Sequence, residues 1–112
     1  MPYVRLDATA TLTDADEEHL HDLLWNCLQE VYGVNKAIME ISGGHTFWYN
    51  EKKPCAYLEV KLMDRFPAEK HDLFIERAYA CLCEVLNLPA EDIVINLIAL
   101  PVWGKDGKAL HI

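Results

Sequence analysis

The chain is written twice. Shifting it by 54 residues lays Cys27-Leu28-Gln29-Glu30-Val31 on Cys81-Leu82-Cys83-Glu84-Val85, and sets Val4 on Leu58 and Leu6 on Val60. Composition alone does not hold one register across two separate elements. Each copy must therefore fold into the same kind of unit, and the periodicities say which. "YVRLDA" (Tyr3 to Ala8) alternates, with Val4, Leu6 and Ala8 on one side and Tyr3, Arg5 and Asp7 on the other, as a half-buried strand does. Leu20, Leu23, Leu24, Cys27, Leu28 and Val31 then recur at helical spacing and form one apolar stripe. Thr13 suits the N-cap of that helix, the acidic residues after it suit the positive end, and Gly33 suits the stop. Ala37 to Ser42 resumes strand character.

The second copy keeps the order. In "CAYLEVKLM", Leu58, Val60 and Leu62 alternate with Tyr57, Glu59 and Lys61. Pro67 sits in the expected first turn of a helix whose stripe is Phe74, Ala78, Cys81, Leu82 and Val85. Asp92 to Leu100 reads as a strongly apolar strand. A strand–helix–strand unit with a long helix is a right-handed crossover between parallel strands. Two of them predict an α/β domain, an α+β sandwich, with a four-stranded mixed sheet and two helices on one face. The sheet's other face carries Arg5, Lys61, Asp7 and Glu59, which reads as paired charges in a confined wet space covered by a partner subunit.

At 112 residues the chain makes one domain. The repeats span about 2–42 and 55–100, an aromatic linker 43–54 joins them, and a C-terminal hairpin occupies 101–112. A net charge of −8 argues against a nucleic-acid partner, since phosphate binding needs a basic surface. No basic amphipathic run offers a membrane footprint, and no signal-peptide pattern opens the chain, so the expected location is cytoplasmic. Cys27 and Cys81 lie on apolar stripes, where free cysteine behaves as a small hydrophobe. His19 and His21 point to different helix faces, so no metal and no cofactor is expected.

"MPYVRL" poses the chemical question. Pro2 is either a strand start, which costs no ladder hydrogen bond, or, once Met1 is removed, a secondary amine. An exposed α-amino group titrates near about 7.7–8.0, and burial lowers that value toward neutral pH, where a general base works best.

Met1-Pro2, Pro54-Cys55-Ala56 opening the second unit, and Ile95-Asn96 in the last strand resemble the tautomerase superfamily. The match is to its double-length branch, similar to macrophage migration inhibitory factor. The Met-Pro start and the tail "VWGKDGKAL" are also similar to those of bacterial members. The resemblance implies a homotrimer with active sites between subunits. It implies an amino-terminal proline acting as acid and base on a small keto–enol or unsaturated carboxylic acid.

By the same resemblance, Arg65, at the end of the third strand, is either a carboxylate clamp or a solvated loop arginine. Asn96 falls on the family's pocket asparagine, and a structural role is equally open to it. Lys36 lies near the pocket lysine, displaced, with Val34 and Asn35 as rivals, and a surface lysine is the preferred reading. Trp103 is either a pocket wall or a trimer anchor. Phe47, Trp48 and Tyr49 either pair with a neighbouring subunit, the preferred reading, or wall the pocket. The departures are specific. Val94 stands where the family has a pocket tyrosine, Leu58 where one branch has the second cysteine of a C-x-x-C, and no paired arginines match the dicarboxylate-binding branch. A monocarboxylate or aryl enol is the expected substrate. The alternative is a non-catalytic binding or signalling module on the same trimeric fold.

Overall fold

A computed structural model describes residues 1–112. In chain order the elements are β1 (Tyr3–Ala8), α1 (Asp14–Tyr32), β2 (Ile38–Ser42), β3 (Ala56–Met63), α2 (Ala68–Leu86), β4 (Ile93–Leu100), β5 (Val102–Lys105) and β6 (Lys108–His111). A single 3-10 turn at Ala90–Asp92 precedes β4.

Helix α1 starts where Thr13 closes a reciprocal cap. Asp16 N donates to Thr13 Oγ1 and Thr13 N donates to Asp16 Oδ2, both at 3.1 Å. It ends at Gly33, whose φ of 67° is open to glycine at little cost. Helix α2 begins one residue later than its proline suggests: Pro67 is the N-cap and supplies no side-chain hydrogen bond. It stops at Asn87, also left-handed, at φ 53°. The buried stripe of α2 runs Phe74, Ala78, Leu82, Leu86, so Leu86 takes the place expected for Val85.

The sheet order is β2-β1-β3-β4. The outer pairs are parallel, as crossovers require, and β1 and β3 meet antiparallel at the centre. Val4, Leu6, Leu58, Val60 and Leu62 point to the helix side and are buried with Leu20, Leu24, Leu28, Phe74 and Leu82. Each such side chain contributes roughly 1.5–3 kcal/mol on leaving water. The β1–β3 register pairs Arg5 with Glu59, which are also equivalent positions in the two repeats. An internal pseudo-twofold axis therefore passes through that pair, and the helices of the two repeats pack against each other across it.

The linker leaves β2 through Gly43, where a Cβ would lie 2.4 Å from the Ala10 carbonyl oxygen and 2.6 Å from Leu12 Cγ. The C-terminal hairpin turns at Asp106 (φ 54°) and Gly107 (φ 75°), the two positive φ values of a two-residue hairpin turn. No helix is long and apolar enough to cross a membrane.

Candidate functional site

Antiparallel pairing at the centre of the sheet gathers distant segments at one end. β1 begins there, β2 begins there, and β3 and β4 end there. Pro2 lies at that end, on the helix side with Val4 and Leu6, and is buried. Its carbonyl accepts from Ile38 N at 2.9 Å, which fixes the start of β1 against β2. Met1 precedes it, so the Pro2 nitrogen is an amide here. The Met1 amine is held below its ordinary value of 8.0 by burial first, then by the Lys105 and Arg65 cations.

Arg65 follows β3, exposed, its N–H bonded to Met63 O at 2.9 Å. Beside it Asp64 N donates to Leu100 O at 2.9 Å, tying the ends of β3 and β4 together. Lys36 is exposed two residues before Ile38, so the parallel β1–β2 register continues to it at the level of Met1. Lys105 was not among the residues singled out from sequence. A signal for it exists in retrospect: Lys105 and Lys108 face each other across the hairpin, and like charges directly opposite are unfavourable without an anion. Trp103, half-buried, sits on β5 opposite Leu110.

Asn96 lies elsewhere within the chain. It pairs with Glu59 in the β3–β4 ladder, on the face away from the helices and three residue levels along the sheet from Pro2. There it joins a polar chain: Asn96 Nδ2 donates to Tyr57 Oη at 3.1 Å, and Tyr57 Oη donates to Glu59 Oε2 at 2.8 Å. Lys61 Nζ is 3.3 Å from Glu59 Oε1, and Arg5 Nη2 is 3.5 Å from Glu59 Oε2. The Tyr57 hydroxyl, and after it Lys61 and Arg5, hold the Glu59 carboxyl below the usual carboxylate range against the opposing effect of burial. Arg5 Nε lies 3.4 Å from Asp7 Oδ2 but outside hydrogen-bonding geometry, and so has no partner. The paired charges expected on this face are present.

The clefts of the single chain are at the far end of the sheet from Pro2, built by the linker. One of about 400 Å³ runs between Thr9, Phe47, Trp48 and Lys52. A second, of about 380 Å³, is lined by Asp7, His45, Thr46, Phe47 and Tyr57. Here Ser42 Oγ donates to Asp7 Oδ1 at 3.2 Å, and its one hydrogen is then spent. His45 Nε2, 2.9 Å away, is therefore the donor to Ser42. Another cleft, of about 260 Å³, is lined mostly by apolar surface, between Phe47, Trp48, Tyr49, Tyr57 and Val94. The linker aromatics thus wall clefts of their own chain, and Val94, lacking the hydroxyl of a tyrosine, contributes only apolar surface there.

No protein-family model matches the sequence, and no curated protein matches it either. Solved structures do match, over nearly the whole length. MIF2 of Leishmania major superposes with a TM-score of 0.88 at 18% identity, covering 98% of this chain and 97% of that one. The F6 fused 4-OT asymmetric trimer gives 0.84 at 11% identity, over 95% and 94%. Pt0534, solved after inactivation by 2-oxo-3-pentynoate, gives 0.80 at 15% identity, over 94% and 93%. The chain has the tautomerase/MIF-like fold, with its two helices, its mixed four-stranded sheet and its terminal hairpin.

Proposed function

We propose that the chain is a keto–enol tautomerase, an isomerase in which the Pro2 nitrogen, freed by removal of Met1, shuttles a proton on a small keto–enol or unsaturated carboxylic acid. One observation carries this reading: the amino terminus is set at the end of the sheet where burial, Lys105 and Arg65 together weaken its hold on a proton. The same surroundings acting on a Pro2 amine would likewise favour its neutral, basic form, the form a general base needs. The cations have a second task. A guanidinium binds a carboxylate in bidentate fashion, and a cation aimed at the carbonyl oxygen stabilises the enolate that forms when the adjacent carbon loses its proton. Pro2 takes that proton, and returns it to oxygen or to the other carbon of the enol.

The substrate class follows from the same balance of charge. A 2-oxo acid inactivates Pt0534, which shares the fold. Arg65, Lys36 and Lys105 suit one carboxylate and one enolate oxygen. The cavity itself forms between copies in a homotrimer of the kind the fused 4-OT adopts. Pro2 of one subunit meets the Tyr57, Asn96 and Trp48 surface of the next, and Trp103 closes the rim. This arrangement explains why Pro2 and Asn96 stand apart within one chain, and why aromatic surface waits at the far end of the sheet.

A second reading, a binding or signalling module on the same trimer, is favoured by Val94 in place of a hydroxyl donor. Intact mass of the untagged protein separates the two. A mass lacking one methionine, ketonisation of phenylenolpyruvate, and a loss of about a hundredfold or more in Pro2→Ala establish the enzyme. Met1 retained, or a rate indifferent to Pro2→Ala, leaves the binding module.

A further inference from the structure

Cys27 and Cys81 occupy equivalent positions in the two repeats, one on α1 and one on α2. The pseudo-twofold seam brings them together, with their sulfurs 3.9 Å apart and both thiols free. The other two cysteines are placed differently. Cys55 is buried under the linker, its sulfur 3.7 Å from the Phe47 carbonyl oxygen, and Cys83 is two residues further round α2. We propose that Cys27 and Cys81 form a reversible redox pair, closed by a hydroperoxide into an inter-helix disulfide that staples the two repeats and reopened by a thiol reductant.

The geometry is close to what the bond needs. A disulfide brings its sulfurs to about 2.05 Å, so closure from 3.9 Å takes up somewhat under 2 Å. The two thiols have different access. Cys81 is half-buried and open to a small oxidant, whereas Cys27 is 6% exposed and shielded from it. Burial, and after it the neighbouring Cys81, pushes the Cys27 thiol up to about 12, with Glu30 and Arg77 as the charged groups flanking it. Cys27 therefore waits as a thiol, and the oxidant meets Cys81 first.

The steps balance. The Cys81 thiolate attacks the peroxide oxygen, the O–O bond breaks, and the alcohol or water leaves with a proton, giving a Cys81 sulfenic acid. The Cys27 sulfur then attacks the Cys81 sulfur, its proton leaves with the hydroxyl as water, and the S–S bond forms. Two electrons have passed from the two sulfurs to the peroxide. One hydroperoxide is consumed for each bond made, and the bond links positions 54 residues apart across the centre of the domain.

The test uses the untagged full-length protein, treated with stoichiometric hydrogen peroxide and quenched with N-ethylmaleimide. The expected result, with the quench applied under denaturing conditions, is two fewer maleimide adducts than the unoxidised protein takes, and a non-reducing peptide map linking Cys27 to Cys81 within one chain. Dithiothreitol applied before the quench restores the two lost adducts. Cys83→Ser and Cys55→Ser keep the linkage. In Cys27→Ser, Cys81 has no partner and dimedone traps its sulfenic acid in higher yield than in the wild type. A linkage through Cys83, a linkage between chains, or a Cys81 oxidised to sulfinic acid while Cys27 still takes the maleimide would each overturn the proposal. The wild-type map decides the matter even if Cys27→Ser fails to fold.

Discussion

Arg5 and Glu59 face each other across the centre of the sheet, with Arg5 Nη2 3.5 Å from Glu59 Oε2. They are the same position in the two repeats, so the ion pair lies on the domain's internal pseudo-twofold axis. One repeat carries a cation there and the other an anion. Two identical charged side chains would repel at that point, directly opposite on neighbouring strands.

That pair gives the domain a pH signature. Glu59 is held below its unfolded value of 4.5, by the Tyr57 hydroxyl first and by Lys61 and Arg5 after it. Its unfolded form binds protons more readily than its folded form. The stability it confers is therefore complete above pH 4.5 and is lost as pH falls through the lower folded value. Urea unfolding between neutral pH and pH 3 should show this loss, and Glu59→Gln should flatten it. An unchanged slope in Glu59→Gln would assign the acid sensitivity to other carboxylates.

Arg65→Ala is expected to raise KM for a 2-oxo acid by roughly tenfold to a hundredfold, the worth of a charged hydrogen bond. Lys105→Ala should act in the same direction and also let the amino terminus titrate closer to its ordinary value, moving the acid limb of the pH–rate profile upward. Steady-state kinetics across pH separates the two effects. If neither variant changes KM or the profile, these cations do not serve the substrate.

Gly43→Ala should destabilise the domain by about 1–3 kcal/mol, because its Cβ has backbone and Leu12 in the way rather than the tip of a flexible side chain. The linker beyond it carries Trp48, so the emission of that tryptophan should shift in the folded variant. Equal urea midpoints for variant and wild type would show that Ala10 and Leu12 yield easily.

The terminal hairpin presents Val102, Leu110 and Ile112 to solvent in the single chain. A two-stranded hairpin alone is marginal in water, so a neighbouring subunit is expected to cover it. Leu110→Asp should shift the sedimentation coefficient from the proposed trimer toward monomer and abolish turnover with it. A variant that remained trimeric would remove the hairpin from the interface.

Much of this architecture is legible without a structure because it is local or repeated. Alternation of Val4, Leu6 and Ala8, or of Leu58, Val60 and Leu62, names a strand and its buried face whatever lies across from it. Thr13 and Gly33 mark a helix by the hydrogen bonds its ends require. The 54-residue echo then restricts two such units to a shared sheet with both helices on one side. Pro2 stood out because a proline nitrogen at a chain end is unlike any other.

What the tertiary structure alone decided is which distant residues meet. The antiparallel β1–β3 register brings Arg65 to the amino terminus, and the tail adds Lys105 to the same end, although 40 residues separate the two in sequence. The same register sends Asn96 to the opposite face, because a strand's side chains alternate and Asn96 is level with Arg5 rather than with Pro2. It also turned two cysteines that each looked like ordinary apolar filler into neighbours 3.9 Å apart. Periodicity records which side of an element faces the core. It carries no record of the offset at which two elements are laid together, and that offset is set by the packing of the whole domain.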